Sequence, residues 1–193
     1  WYNVVRLPSR GCTGMSGIAR KLMSAGAGAD PAWDISLAES RTWDVSAASY
    51  AGPNSFSVVA EDFFPSGIFF KPDGTKMYIA GASGDDINEY DLSNAWAVSS
   101  ASHLQSFSVS AQDTDPSDVF FKPDGIKMYV LGNSGDAVYE YDLSTAWDIS
   151  SAVFFQSFSV STQETSPAGI FFKPDGTKMY VTGFAGDDVN EYD

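Results

Sequence analysis
The sequence holds one cysteine, Cys12, and one histidine, His103. A single thiol excludes an intrachain disulfide and a cysteine-based zinc site. A single imidazole excludes a multi-histidine metal centre and, with it, most metallohydrolase chemistry. Basic side chains are scarce, with 11 Lys plus Arg against 25 Asp plus Glu and a formal charge of −14. Phosphate backbones need a basic surface, so this balance argues against nucleic acid as a partner. No apolar run approaches the roughly 20 residues of a membrane-spanning helix, so no membrane span is expected. Leu22-Met23, following Arg20-Lys21 and followed by Gly and Ala, is a poor secretory signal. No residue pattern calls for a cofactor.

Apolar residues make up 44% of the 193 positions, enough for a packed core and too many for a disordered tail. The charge is uneven. Residues 1–41 carry five basic and three acidic side chains, whereas 42–193 carry six lysines, no arginine and 22 acids. The small-residue stretch Ser24–Ala29 lies inside the first segment. We read 1–40 as an N-terminal arm or leader, with Met15 a candidate start.

An internal repeat decides the architecture. Phe69-Phe70-Lys71-Pro72-Asp73-Gly74 returns at Phe120–Gly125 and at Phe171–Gly176, with a spacing of 51 both times. Residues 65–91 and 167–193 agree at 21 of 27 positions, which chance does not produce. A period near 50 built from β-type segments means a propeller blade or a solenoid coil. Inside one period, Gly67–Phe70, Lys76–Gly81, Ile87–Leu92 and Leu104–Val109 read as short strands separated by turn residues. Proline pre-sets the first central position of a turn, and glycine after aspartate takes the left-handed conformation that closes it. Pro72, Asp73 and Gly74, Pro123, Asp124 and Gly125, and Pro174, Asp175 and Gly176 are therefore structural turns. Four antiparallel strands in 51 residues fit a β-propeller blade better than a solenoid coil. The fold class expected is all-β: a propeller of four-stranded blades, in an incomplete ring.

The blades fall at 65–115, at 116–166 and, in part, at 167–193. Ser55-Phe56-Ser57-Val58 sits 51 residues before Ser106-Phe107-Ser108-Val109, so 41–64 reads as the orphan outer strand of a further blade. Rings usually have four to eight blades. The chain is thus expected to be a piece of a longer array or, if complete, to assemble with copies of itself as a homo-oligomer. Residues 43–193 alone are expected to aggregate or oligomerise through open blade faces.

The unit F-F-K-P-D-G-T-K-M-Y-V followed by G-D-D-V-N-E-Y-D resembles tandem repeats of structural proteins of marine bacteriophages. More distantly it is similar to the YVTN-type propellers of microbial surface-layer proteins, through Pro174-Asp175-Gly176 and Tyr180-Val181-Thr182-Gly183. The resemblance spans about 43–193. It implies a virion or cell-surface location, with other virion proteins or a protein or glycan receptor as partners. A fold hosts many functions, so the repeat itself carries little about activity.

Candidate sites follow the repeat. Asp85, Asp86, Asp136, Asp187 and Asp188 could offer oxygens to calcium, although none matches a calcium-loop motif and aspartate is a common turn residue. Trp43, Trp96 and Trp147 recur in one inter-strand loop, with Asp44 and Asp148 after two of them. An indole beside a carboxylate suits a sugar, whereas a tryptophan plug between blades accounts for the same pattern. Lys71, Lys76, Lys122, Lys127, Lys173 and Lys178 flank the hairpins and are expected to pair with acids of neighbouring blades. No Gly-x-Ser-x-Gly elbow is present, and His103, just before a strand, is matched by Phe154 in the next copy. Paired carboxylates for glycoside cleavage stay open, since acids abound. The reading is a non-catalytic structural or adhesive protein. A secreted or surface-layer binding propeller and a propeller enzyme, such as a lactonase or glycoside hydrolase, are the alternatives.

Overall fold
A computed structural model describes residues 45–50 and 54–193 of the chain. The chain divides into two compact units, Trp1–Tyr50 and Ala51–Asp193. Of the first, a single 3-10 turn at Val45–Ala47 is described. The 1–40 arm and Trp43 lie outside the described residues.

The second unit is built of three antiparallel sheets. The first holds β1 (Pro65–Phe70), β2 (Lys76–Gly81), β3 (Asp86–Leu92) and β4 (Ala101–Ser108), in that order. The second repeats it with β5 (Pro116–Phe121), β6 (Lys127–Gly132), β7 (Ala137–Leu143) and β8 (Ala152–Ser159). The third has β9 (Pro167–Phe172), β10 (Met179–Gly183) and β11 (Val189–Tyr192). Sequential order within each sheet, with every neighbour antiparallel, is the up-and-down meander of a propeller blade. The fold is that of a β-propeller, of which the described chain forms two whole blades and three strands of a third.

Each first hairpin is set by its turn residues. Gly74 N–H donates to the Lys71 carbonyl at 2.7 Å, and Gly74, Gly125 and Gly176 hold φ of 74°, 76° and 73°. Four residues, Pro72 to Thr75, connect the paired Lys71 and Lys76, and the third of them is left-handed, a conformation that only glycine enters without strain. Asp73 adds an acceptor for the Thr75 N–H at 3.0 Å and hydroxyl at 2.7 Å.

In the first two blades, β2 and β6 have no exposed position on either face because the sheets are covered on both sides. β2 runs Met77, Tyr78, Ile79, Ala80 and Gly81 without an exposed position, where an isolated sheet would alternate. Tyr78, Ile87 and Val109 of the first blade pack against Val119, Phe121, Met128 and Tyr141 of the second. Leu131, Val138 and Val160 meet Ile170 and Val181 of the third. The three innermost strands also meet, where the Ser66 hydroxyl donates to the Pro116 carbonyl at 2.7 Å.

Two expectations are corrected. The outer strand starts at Ala101, not Leu104, because it pairs with the whole length of β3, absorbing a register shift at Glu89/Tyr90. His103 therefore lies within a strand, edge-on to the Tyr90 ring at 5.4 Å. The lysines pair within their own blades, not with neighbours. Register places Lys76 opposite Asp91 and Lys127 opposite Asp142, so the nearest carboxylates are cross-strand. Lys76 reaches Glu89 at 2.5 Å and Asp91 at 2.7 Å, Lys127 pairs with Glu140 and Asp142, and Lys178 with Glu191 and Asp193. Lys71, Lys122 and Lys173 bridge back to Asp73, Asp124 and Asp175 of their own turns.

Candidate functional site
One surface recurs from blade to blade: the Lys-Pro-Asp-Gly hairpin with the tryptophan loop folded over it. The Trp96 N–H donates to the Gly74 carbonyl at 2.9 Å, and Trp147 to Gly125 at 3.0 Å. Each indole lies flat on its glycine, so that a β-carbon on Gly74 or Gly125 would come within 2.4 Å of ring atoms. To reach this seat, Trp96 and Trp147 adopt φ of 66° and 65°. A left-handed non-glycine residue costs about 1–2 kcal/mol, which ring burial must offset.

The two indoles then differ. Trp147 sits between blades, near-parallel to Phe121 of its own blade at 5.5 Å and to Phe69 of the preceding one at 6.3 Å. The Tyr78 hydroxyl donates to its carbonyl at 2.7 Å. Asp148 is occupied by the Ser150 hydroxyl and N–H, at 2.6 and 3.0 Å, and by the Gln105 amide at 2.8 Å. Hydrogen bonds from Ser150 and then Gln105 hold its carboxyl below the usual range. Trp147 and Asp148 thus stand together but are engaged by the protein itself. Trp96 touches Phe70 at 5.5 Å, is followed by Ala97 instead of an acid, and keeps 58% of its surface exposed.

The acidic turns are dispersed. Asp85, Asp136 and Asp187 occupy the left-handed positions of the second hairpins, with φ of 50°, 47° and 54°. Asp86 accepts from the Asn88 amide at 2.7 Å and Asp188 from Asn190 at 2.9 Å, and the second blade has Ala137 at this position. Burial raises the Asp86 carboxyl above its ordinary value, against the Asn88 hydrogen bond. Among the described residues no group of three or more His, Cys, Asp or Glu is placed to hold a metal ion.

Sequence reading missed a repeated buried carboxylate. Asp62, Asp113 and Glu164 are 1%, 3% and 1% exposed and stand 51 residues apart. Asp113 accepts from the N–H groups of Asp115 at 2.8 Å and Gly135 at 2.7 Å, and from the Tyr139 hydroxyl at 3.3 Å. Asp62 receives Phe64, Ser83 and Gly84 in the same way, and Glu164 receives Ser166, Ala185 and Gly186. Burial opposes ionisation of Glu164, yet the N–H groups of Gly186, Ser166 and Ala185 outweigh it and hold the carboxyl below its usual range. Burial, then the charge of Asp113, pushes the Tyr139 hydroxyl up to about 12, so it remains a donor. The signal was available, as an acid three residues before Pro65, Pro116 and Pro167.

A second cluster also escaped notice. Glu89, fully buried, accepts from Lys76, from the Gln105 amide at 2.8 Å and from the Ile149 N–H of the next blade at 3.1 Å. Asp118 has no acidic counterpart, since Gly67 and Gly169 occupy its place in the other blades. It bridges innermost strands by accepting the Ile170 N–H at 2.9 Å, and burial raises its carboxyl against that bond.

No family model and no curated protein matches the chain. Solved structures do. A candidate 6-phosphogluconolactonase from Bacteroides uniformis ATCC 8492 aligns with 66% of this chain and 36% of its own, at 18% identity and a TM-score of 0.52. One from Bacteroides fragilis NCTC 9343 aligns with 66% and 34%, at 14% identity and 0.53. A protein from Lactobacillus plantarum aligns with 67% and 40%, at 14% identity and 0.50. The aligned part spans little more than a third of these structures. At such identities the likeness establishes the propeller fold and no more.

Proposed function
We propose that this chain is part of a non-catalytic structural or adhesive propeller, associated with a virion or a cell surface, that presents repeated acidic faces to a protein or glycan receptor. The observation that carries the reading is the recurrence of the Lys–Asp-bridged hairpin under a tryptophan in successive blades, with the Trp96 ring open to solvent. Such a ring stacks on the apolar face of a pyranose or on a receptor side chain. Weak contacts repeated at fixed spacing gain by avidity, which a single asymmetric site does not. The net charge of −14 keeps this surface off anionic membranes and nucleic acid. The virion association rests on the resemblance of the repeat, and reading through the flanking genes for capsid, portal or tail proteins tests it. For the receptor, a glycan panel binds the 193-residue chain, and Trp96→Ala lowers the affinity at least tenfold with the melting curve retained. Unchanged affinity for every bound glycan in Trp96→Ala would remove the ring from the site.

A further inference from the structure
The two ends of a blade differ in charge. All six lysines of residues 42–193 stand beside the Pro-Asp-Gly hairpins, where each is paired with acids of its own blade. The opposite end carries the second hairpins, the starts of the innermost strands and the connections between blades. The segments that form it, 59–67, 81–86, 108–118, 132–137, 159–168 and 183–188, hold eleven acids and no lysine or arginine. Charge of one sign around a cleft concentrates its field there.

Such a cleft lies where the three innermost strands begin. A cavity of about 260 Å³ is lined there by Ser66, Asp115, Ser117, Asn133, Ser166 and Phe184. The strands that carry or adjoin these residues, β1, β5, β6, β9 and β10, are each paired in their sheets, and the Phe184 N–H donates to the Ser166 carbonyl at 3.0 Å. Most hydrogens of the lining groups are spent inside the protein. The Ser66 hydroxyl donates to the carbonyls of Pro116 at 2.7 Å and Ala80 at 3.1 Å, and the Ser117 hydroxyl to that of Leu131 at 3.2 Å. The Asn133 amide donates to one Asp115 oxygen at 2.7 Å, and the other oxygen accepts no hydrogen bond among the described residues. What remains is mostly acceptor: lone pairs on hydroxyls, an amide oxygen and a carboxylate.

We infer that this cavity binds the ammonium group of a lysine side chain presented by a partner protein. Acceptors grouped around a carboxylate call for a cation that brings hydrogens of its own, and ammonium carries three donors and no acceptor. Arginine suits the site less. Its planar fork seeks both oxygens of a carboxylate, and Asn133 already holds one of those of Asp115. Calcium takes roughly six to eight oxygen ligands, whereas Asp115 is the one carboxylate lining the cavity. The volume falls below the roughly 300–1,000 Å³ of sites that enclose a whole small molecule, and suits a single side chain. Phe184 adds an aromatic wall, whose ring face attracts a cation. The site belongs to the second blade alone, since Phe64 and Ala82 stand in the first, and Ser166 and Phe184 in the third, where it has Asp115 and Asn133. The inference goes beyond the tryptophan-loop reading, because Trp96 lies over Gly74 at the lysine-bearing end.

The test titrates the isotope-labelled 193-residue chain at low salt with the peptide acetyl-Gly-Lys-Gly-amide and follows its amide signals by NMR. Saturable shifts centred on Asn133 and Ser117 are expected, weaker with an arginine peptide and absent with the acetylated lysine. The repeat supplies variants that its fold already accepts. Asp115→Ser, which copies Ser166, is expected to lower the affinity about tenfold or more with the melting curve retained, and Ser117→Ala, which copies Ala168, to lower it less. No saturable shift, equal binding of the acetylated peptide, or unchanged affinity in Asp115→Ser would each overturn the inference. An arginine peptide or glucosamine binding more tightly than the lysine peptide would overturn the assignment to lysine.

Discussion

Replacing Asp113 with alanine tests whether a buried carboxylate holds each second hairpin. Its oxygens accept three N–H groups, including Ser134 at 3.3 Å, and the Tyr139 hydroxyl. Truncation leaves these donors facing a cavity. The Asp115 and Ser134 donors lie near the surface, where water replaces the lost acceptor at little cost. Gly135 is exposed in the same way, whereas the Tyr139 hydroxyl bond is buried, and a buried donor left without a partner costs about 1–3 kcal/mol. We expect Asp113→Ala to destabilise by about 1–3 kcal/mol, a shift of about 2–12 °C for a domain of this size. Asp113→Glu is the decisive control. The third blade already uses Glu164 to bind Ser166, Ala185 and Gly186, and the neighbouring Gly183 leaves the same space as Gly132. Glutamate at 113 should therefore cost less than about 1 kcal/mol. Thermal and urea melts followed by tryptophan fluorescence read both values, and amide exchange at Ser134–Asp136 should accelerate in Asp113→Ala alone. Equal losses in the Ala and Glu variants would show that packing around Asp113, not its acceptor oxygens, supports the turn.

Two further outcomes follow from the same reasoning. Gly125→Ala meets both a positive φ and the Trp147 ring, whereas Gly176→Ala meets the positive φ alone, so the first should cost more than the second, itself about 1 kcal/mol. Matching melts for the two would remove the indole from the argument. Asp118 has a carboxyl raised by burial in the folded chain, so its ionised form is disfavoured there. Its contribution is fully present below the unfolded value and is lost as pH rises through the folded one. The stability of the unmodified chain relative to Asp118→Gly should thus improve on acidification from neutral pH, and a relative loss on acidification would contradict this.

How much of this was legible in the sequence depends on which force set each feature. The hairpins were, because proline and glycine are demanded by backbone dihedrals that do not depend on the rest of the fold. Blade order was also legible, since a repeat of 51 residues carries its own register. The extent of β4 was not, because Ala101-Ser102-His103 has no strand signal and becomes extended only by pairing with Tyr90–Leu92. The lysine partners were misassigned for a similar reason. Charge composition says that lysine will find an acid, and only register says which one. Asp62, Asp113 and Glu164 escaped because an acid in a polar turn reads as solvated until burial is known.

The repeat also shows where to look for a ligand. Positions identical in all three copies, such as Gly74, Gly125 and Gly176, answer geometric demands that every blade shares. Departures from the repeat show where one copy of the proposed contact differs from the next. Four stand out on this ground. Ala97 replaces the acid seen at Asp148, and the adjoining Trp96 ring is exposed. Asp118 places a half-buried carboxylate where the other innermost strands have glycine. Ala137 breaks the paired acids of the second hairpin, and Phe184, 78% exposed, puts a large ring where the first blade has Ala82. A scaffold under no further constraint would vary mainly among solvated polar residues. Trp96 and Phe184 are two of many exposed large apolar side chains, so their departure from the repeat, not their exposure, sets them apart.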